Sequence, residues 1–390
     1  MKFPKKKIKD YSKAAINERV EFLSENSGQS LQHINGSSLD SEKGKGNIEN
    51  MIGFAQVPLG VVGPVKINGN HARGEFYVPF ATTEGALVAS YNRGARVLSL
   101  SGGVNVLVVK DQIQRAPLFV LENVLKAKEF ADWIHTHFDQ IKNVAQSTSK
   151  RLKLEGYDVF IQGRIVYLRL NFFTSDAMGM NMITKASYEI CAFAEKQFPV
   201  EKCVIESNMA VDKKPSHINT ILGRGKTVTS EAFIEEKVIS RVLRTTAEEI
   251  DLAYKRQVTG GQLAGVMGSN GQLANGIAAA FIACGQDVAN VSESCIGTIY
   301  TETIGKDLYL SLNIPSLIVG TVGGGVSLPT QRECLEIMGC YGSGKALKFA
   351  EIIAATMLAG EISLAAAIVA GDFVSAHEKL GKNRPSQKNE

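Results

Sequence analysis

GYDVFIQGRIVYLRLNFF, residues 156–173, contains two runs rich in β-branched and aromatic residues, GYDVFIQ and RIVYLRLNFF, divided at Gly163. Runs of that composition bounded by glycine read as β-strands. On the N-terminal side, LFVL at 118–121 predicts a strand before them, and Val124 to Lys150 has the spacing of an amphipathic helix. Beyond them, Ala177 to Lys196 predicts a second helix and Lys202 to Glu206 a short strand. Strand–helix–strand–strand–helix–strand is the split βαβ order of a ferredoxin-like unit. The ends of such a unit lie close together, so it can be inserted in a larger domain. The sequence therefore predicts an α+β protein: residues 117–206 form a small inserted domain (βαββαβ), 46–116 with 207–390 a large helix-rich domain, and 1–45 an N-terminal helical arm.

A chain of 390 residues exceeds one ordinary core, in keeping with that division. Near the N-terminus, a helical pattern from Ala14 to Leu23 gives way to the polar loop INGSSLDSEKGKGN. ENMIGFAQVPLGVVGPVKING reads as short strands and turns, after which Thr82 or Thr83 caps a helix from Glu84 to about Leu98. Beyond residue 215 the predicted helices are Ser230 to Leu252, Ala274 to Cys284, Pro329 to Ile337 and Lys345 to Leu380. A net charge of +4 gives no case for nucleic-acid binding. Six cysteines without a CxxC pair or a His-rich partner segment fit reduced thiols in a cytoplasmic protein, with no metal site. MKFPKKKIKDYSK lacks the apolar region of a signal peptide, and Glu351 and Glu361 divide the most apolar stretch into runs too short to span a bilayer. No membrane association is expected.

Six segments could carry chemistry. In TTEGALVAS, Glu84 falls in a predicted first helical turn, where an acid complements the helix dipole. In SDAMGMNM, Asp176 can cap the following helix, and Gly179 permits close approach to N–H groups that bind phosphate oxygens. This is not a GxGxxG fingerprint. Asp212, Lys213 and Lys214 stand together before Pro215, either as a solvated charged turn or as a lysine held by a carboxylate to neutralise an oxyanion. Asp287 follows the end of the Ala-rich helix, where a carboxylate is disfavoured, so a raised pKa or a nearby lysine is expected. Gly323, Gly324 and Gly325 read equally as a packing turn or a ligand-contact loop. His377 ends the last helix in a polar tail, where the helix terminus favours its protonated form.

Taken in order, ENMIG, VPLGVVGP, TTEGALVAS, DAMGMNM, DKKPSHIN, GRGK, GQDVAN, GTVGGG and SLAAAIVAGDFVSAH resemble 3-hydroxy-3-methylglutaryl-CoA (HMG-CoA) reductase, from about Glu49 to Arg384. DAMGMNM and GTVGGG look like the class shared by eukaryotes, archaea and some bacteria (class I), here in a soluble prokaryotic form. The resemblance implies a large domain around a long central helix, with the inserted unit binding the dinucleotide. It also implies a homo-oligomer, a dimer or dimer of dimers, whose active sites are shared between subunits. The reaction implied is reduction of HMG-CoA to mevalonate and CoA with two NADPH, through a hemithioacetal and mevaldehyde. Lys213 would face the thioester oxygen, Glu84 would donate a proton, Asp287 would tune both and His377 would protonate the departing thiolate. Burial and Asp287 are expected to outweigh the helix dipole and keep Glu84 protonated.

Arg115, Lys214 and, in a diverged setting, Lys255 match contacts to the substrate's HMG group, and Asn275 matches a partner of the catalytic cluster. For the dinucleotide, Asp176, Met178, Gly179, Asn181, Gly323, Gly324 and Gly325 are the candidates, and Lys150 could meet a 2′-phosphate, favouring NADPH over NADH. Three departures stand out. Glu206 replaces an expected serine, or that serine is displaced to Ser207, and an anion there would oppose a carboxylate-bearing substrate. Gln272 replaces a histidine, and Ala376 a serine. The alternatives are NAD-dependent mevalonate oxidation in catabolism and a non-catalytic CoA-binding homologue.

Overall fold

A computed structural model describes residue 4, residues 9–36 and residues 39–371. Among them ten strands form one sheet: β1 (Leu59–Gly69), β2 (Arg73–Ala81), β3 (Val104–Arg115), β4 (Leu118–Val120), β5 (Lys153–Gln162), β6 (Ile165–Phe173), β7 (Lys202–Val204), β8 (Gly225–Ile234), β9 (Thr298–Ile304) and β10 (Asp307–Leu317). The longer helices are α1 (Lys13–Ser27), α2 (Leu87–Leu100), α3 (Val124–Thr136), α4 (Phe138–Ser147), α5 (Met180–Gln197), α6 (Ala247–Ala264), α7 (Leu273–Ala283), α8 (Pro329–Ile337) and α9 (Ala346–Val369). The fold is α+β.

The strand order is β7-β4-β6-β3-β8-β10-β9, with β5 beside β6 and β1 joining β2 to β3. β4, β5, β6 and β7 pair antiparallel in the order β7-β4-β6-β5, with α3, α4 and α5 in the connections, which is the predicted βαββαβ arrangement. Its core gathers Phe119, Phe130, Leu168, Phe172 and Ile190. β3 belongs to both parts of the sheet: Asn105 to Gln112 pair with β8, and Ile113 to Arg115 pair with β6. Arg115 therefore ends at the seam between them.

The larger core surrounds α9, in which Phe349 to Ser363 are all buried. α9 is long and apolar enough to cross a membrane, yet 83% of its most apolar window is covered by the rest of the fold. α2 crosses it at Gly94, where a Cβ would lie 1.7 Å from the Ala359 carbonyl oxygen, so only glycine admits this approach. Glu351 and Glu361, buried on the same helix, accept backbone N–H groups from His71 and Ala72 and from Gly271 and Gln272. Each carboxylate thus ties a loop to the central helix.

Four expectations are corrected. The segment beginning at Ser230 is not helical throughout: Gly225–Ile234 alternates buried residues with half-buried or exposed ones as β8, short helical turns follow at Glu236–Val238 and Ile239–Leu243, and the long helix forms at Ala247–Ala264. Pairing with β3 and β10 on both sides decides this. β9 and β10 add further strands where only helices and loops were expected. The predicted 124–150 helix is two helices meeting at His137. Glu84 lies in a turn before α2, whose first turn is preceded by Ala86 in the left-handed region at φ 72°.

Candidate active site

A cleft of about 910 Å³ opens at the seam of the sheet, lined by Arg115, Met178 to Met182, Asp212, Lys213, Asp287 and Gly323 to Gly325 among others. Lys213 Nζ lies 2.7 Å from Asp287 Oδ2, so the lysine expected beside this acid is present. Asp287 Oδ1 also accepts the Ala289 N–H at 3.1 Å, which fixes the carboxylate at the start of a short helical turn.

The loop carrying Lys213 is strained and braced. Val211 and Lys213 take φ of 54° and 57°, a region that side chains with a Cβ rarely adopt. The Lys213 N–H donates to Glu293 Oε1 at 3.0 Å, and Arg224 Nη1 donates to the same oxygen at 2.6 Å. Arg224 Nη2 reaches Asp212 Oδ1 at 3.1 Å and Met180 Sδ at 3.2 Å. Arg224 and Glu293 are fully buried. Burial pushes the Glu293 carboxyl upward, against the pull of Arg224 and the Lys213 N–H. Neither residue stands out in the sequence; the signal available is GRGK, whose arginine stands between two glycines next to a strand.

The opposite wall is backbone. Gly179 precedes α5 at φ 83°, and no side chain caps that helix, so its first N–H groups are available to an anion. A Cβ on Gly179 would meet Thr174 at 2.5 Å. Gly323 and Gly324 also have positive φ, 78° and 57°, and a Cβ there would meet nothing within 4 Å: their open side faces space. Gly325 differs, since its Cβ would fall 2.7 Å from the Gly285 carbonyl oxygen, as in a packing turn. Met178 and Asn181 line the cleft. These glycine surfaces fit the phosphates of a dinucleotide.

Asp176 does something else. Its carboxylate accepts N–H groups from Gly344, Lys345 and Ala346, capping α9 rather than α5. Burial opposes its charge, but the N–H groups of Gly344 and Ala346, the Ser175 hydroxyl and the Lys345 N–H together hold it below its ordinary range. The sequence places the cap on the nearest helix, whereas the chain returns a distant one.

Glu84 and Asn275 form a separate cluster, with Asn275 Nδ2 3.4 Å from Glu84 Oε1. Asn275 lies near the start of α7, and Asp287 follows its end. At 1.5 Å per residue, the 11 residues of α7 separate these ends by roughly 16 Å. Beneath Asn275, Glu361 accepts the Gly271 and Gln272 N–H groups at 2.8 Å each; burial pushes its carboxyl up to about 7, and these donors only partly offset it. Gln272 is buried and donates its side-chain amide to the Gly360 carbonyl.

Other candidates stand off the cleft. Lys214 donates to the Asp212 carbonyl at 3.1 Å, and Lys255 pairs with Asp251 at 2.7 Å. Lys150 is exposed after α4 and does not line the cleft. His377 and Ala376 lie outside the described residues. No group of three or more His, Cys, Asp and Glu residues that could hold a metal occurs among the described residues.

The sequence model of the hydroxymethylglutaryl-coenzyme A reductase family matches residues 15–382. The 3-hydroxy-3-methylglutaryl-coenzyme A reductase of Aeropyrum pernix is 47% identical over 386 residues, covering 97% of this chain and 91% of that protein. The protein of the same description from Methanocaldococcus jannaschii is 45% identical, covering 95% and 94%. A class II 3-hydroxy-3-methylglutaryl-CoA reductase from Streptococcus pneumoniae, solved bound to NADPH in open conformations, shares the fold with a TM-score of 0.67 at 21% identity, over 90% of this chain and 97% of that one. The class of protein is an oxidoreductase. The chain belongs to the hydroxymethylglutaryl-coenzyme A reductase family, whose reaction on HMG-CoA serves the mevalonate pathway.

Proposed function

We propose that this chain reduces HMG-CoA by four electrons, consuming two NADPH and two protons and yielding mevalonate, CoA and two NADP⁺. The observation that carries this reading is the Lys213–Asp287 pair, 2.7 Å apart in a cleft whose other wall is glycine backbone and an uncapped helix start. When bound, the dinucleotide supplies hydride. Lys213 then offsets the negative charge growing on the thioester oxygen, an effect typically worth 10² to 10³ in rate for one donor. Asp287 holds that ammonium in place. Glu84, oriented by Asn275, supplies a proton to the second carbonyl reduced, and His377 protonates the CoA thiolate. Arg115 holds the HMG group in the cleft, which Lys214 and Lys255 do not line within one chain. Met178, Gly179, Asn181, Gly323 and Gly324 receive the dinucleotide, with residues 117–206 as its domain. The streptococcal relative's NADPH supports the choice of a nicotinamide dinucleotide. A buried α9 supports a core helix rather than a membrane span.

Glu84 and Lys213 stand at opposite ends of α7, too far apart to act on one carbonyl. A second copy that brings Glu84 of one chain to Lys213 of the other resolves this, making the enzyme a homo-oligomer with shared sites. Glu84→Gln and Lys213→Ala chains, each inactive alone, recover activity when co-assembled; no recovery would remove the shared site. The activity itself is tested by HMG-CoA-dependent oxidation of NADPH and NADH. NADPH turnover that falls at least a hundredfold in Lys213→Ala is expected, and absence of turnover with either dinucleotide would refute the reading.

A further inference from the structure

Arg115 is the one guanidinium among the described residues lining the cleft, and both its terminal nitrogens are already engaged. Nη1 donates to Glu206 Oε2 at 2.5 Å and Nη2 to Thr184 Oγ1 at 2.8 Å. Its side chain is 12% exposed and that of Glu206 31%. Glu206 is not a free surface acid that swings past. Its Oε1 accepts the Asn208 N–H at 2.8 Å, and the adjacent Ser207 is pinned to the Ala116 carbonyl oxygen through both its N–H and its hydroxyl. Thr184 is fixed in turn by donating to the Met180 carbonyl oxygen. The cleft's guanidinium thus carries a built-in carboxylate.

We propose that Glu206 is a specificity-determining residue: a resident anion that occupies Arg115 and sets how tightly the cleft takes an acyl group ending in a carboxylate. This rests on the reading of Arg115 as the anchor for that end of the substrate. An incoming carboxylate at Arg115 meets a like charge a few ångströms away, which weakens its binding by on the order of tenfold or more at this range. The resident pair also keeps the arginine oriented when no substrate is bound, and it makes the empty cleft less attractive to stray anions.

The test measures affinity of the full chain for HMG-CoA and for free CoA, which lacks the acyl carboxylate. Glu206→Gln keeps the shape and the Asn208 bond but removes the charge; Glu206→Ser removes the group. Both variants bind HMG-CoA at least tenfold more tightly than the parent, while affinity for free CoA changes less than twofold, a split that a merely structural role would not produce. Unchanged or weaker HMG-CoA binding in both, with the melting temperature retained, overturns the proposal. Should Glu206→Ser unfold, Glu206→Ala, which also removes the carboxylate, replaces it with the same expected direction. Arg115→Met separates the two readings. If it weakens HMG-CoA binding and Glu206→Gln does not strengthen it, only the role of Glu206 falls; if it leaves HMG-CoA binding unchanged, the reading of Arg115 falls and takes this one with it.

Discussion

Glu361 makes stability depend on pH in a way that one substitution isolates. The carboxyl is fully buried, its ordinary value is 4.5, and burial raises it to about 7 in the folded chain. A raised folded value means that its stabilising contribution is complete below 4.5 and is lost as pH rises through 7. The gap corresponds to roughly 3 kcal/mol in full, of which about 2.5 kcal/mol falls between pH 5 and pH 8. Glu361→Gln removes the titration. It also places an amide NH₂ against one of the Gly271 and Gln272 donors, a cost that does not vary with pH. The variant is therefore less stable than the parent at pH 5 and gains on it by about 2 to 3 kcal/mol by pH 8. Urea denaturation followed by far-ultraviolet circular dichroism, at half-unit steps of pH, measures the difference. A parent–variant difference that stays constant across this range would refute the reasoning, because a carboxyl that ionises at an ordinary value gives no such slope above pH 5.5.

Other perturbations have equally definite outcomes. Gly94→Ala drives a methyl against the Ala359 carbonyl and costs about 3 kcal/mol, seen in a chain of 390 residues as a melting temperature lower by roughly 4 °C. Glu293→Ala leaves the buried Arg224 with only the partly exposed Asp212 as its partner and frees the Lys213 N–H; it costs about 2 to 4 kcal/mol in denaturation and lowers kcat more than KM for HMG-CoA. Gly324→Ala meets no neighbour but is strained at φ 57°, so stability falls by only about 1 kcal/mol while KM for the dinucleotide rises and that for HMG-CoA holds.

Much of this is legible in the chain, and the failures have physical reasons. GYDVFIQ and RIVYLRLNFF declare their strands through composition, and the βαββαβ order comes from their neighbours. GKTVTSEAFI does not, because its buried positions include Lys226 and Ser230, and polar residues conceal a period of two. Lys226 is buried only because Asp111 on the adjacent strand pairs with it at 3.0 Å. The Lys213–Asp287 pair is foreshadowed by an acid stranded at a helix end. Asp176 misleads because local pattern assigns a cap to the helix next in sequence, whereas its donors come from residues 344–346. The separation of Glu84 from Lys213 is also beyond local pattern, since it depends on where α7 begins and ends relative to two distant loops.

The decisive measurement counts dinucleotide against thiol. With HMG-CoA limiting and NADPH in excess, two NADPH are oxidised for each CoA thiol released, and Lys213→Ala releases thiol at least a hundredfold more slowly. One NADPH per thiol, or thiol released without NADPH oxidation, would contradict the four-electron reduction.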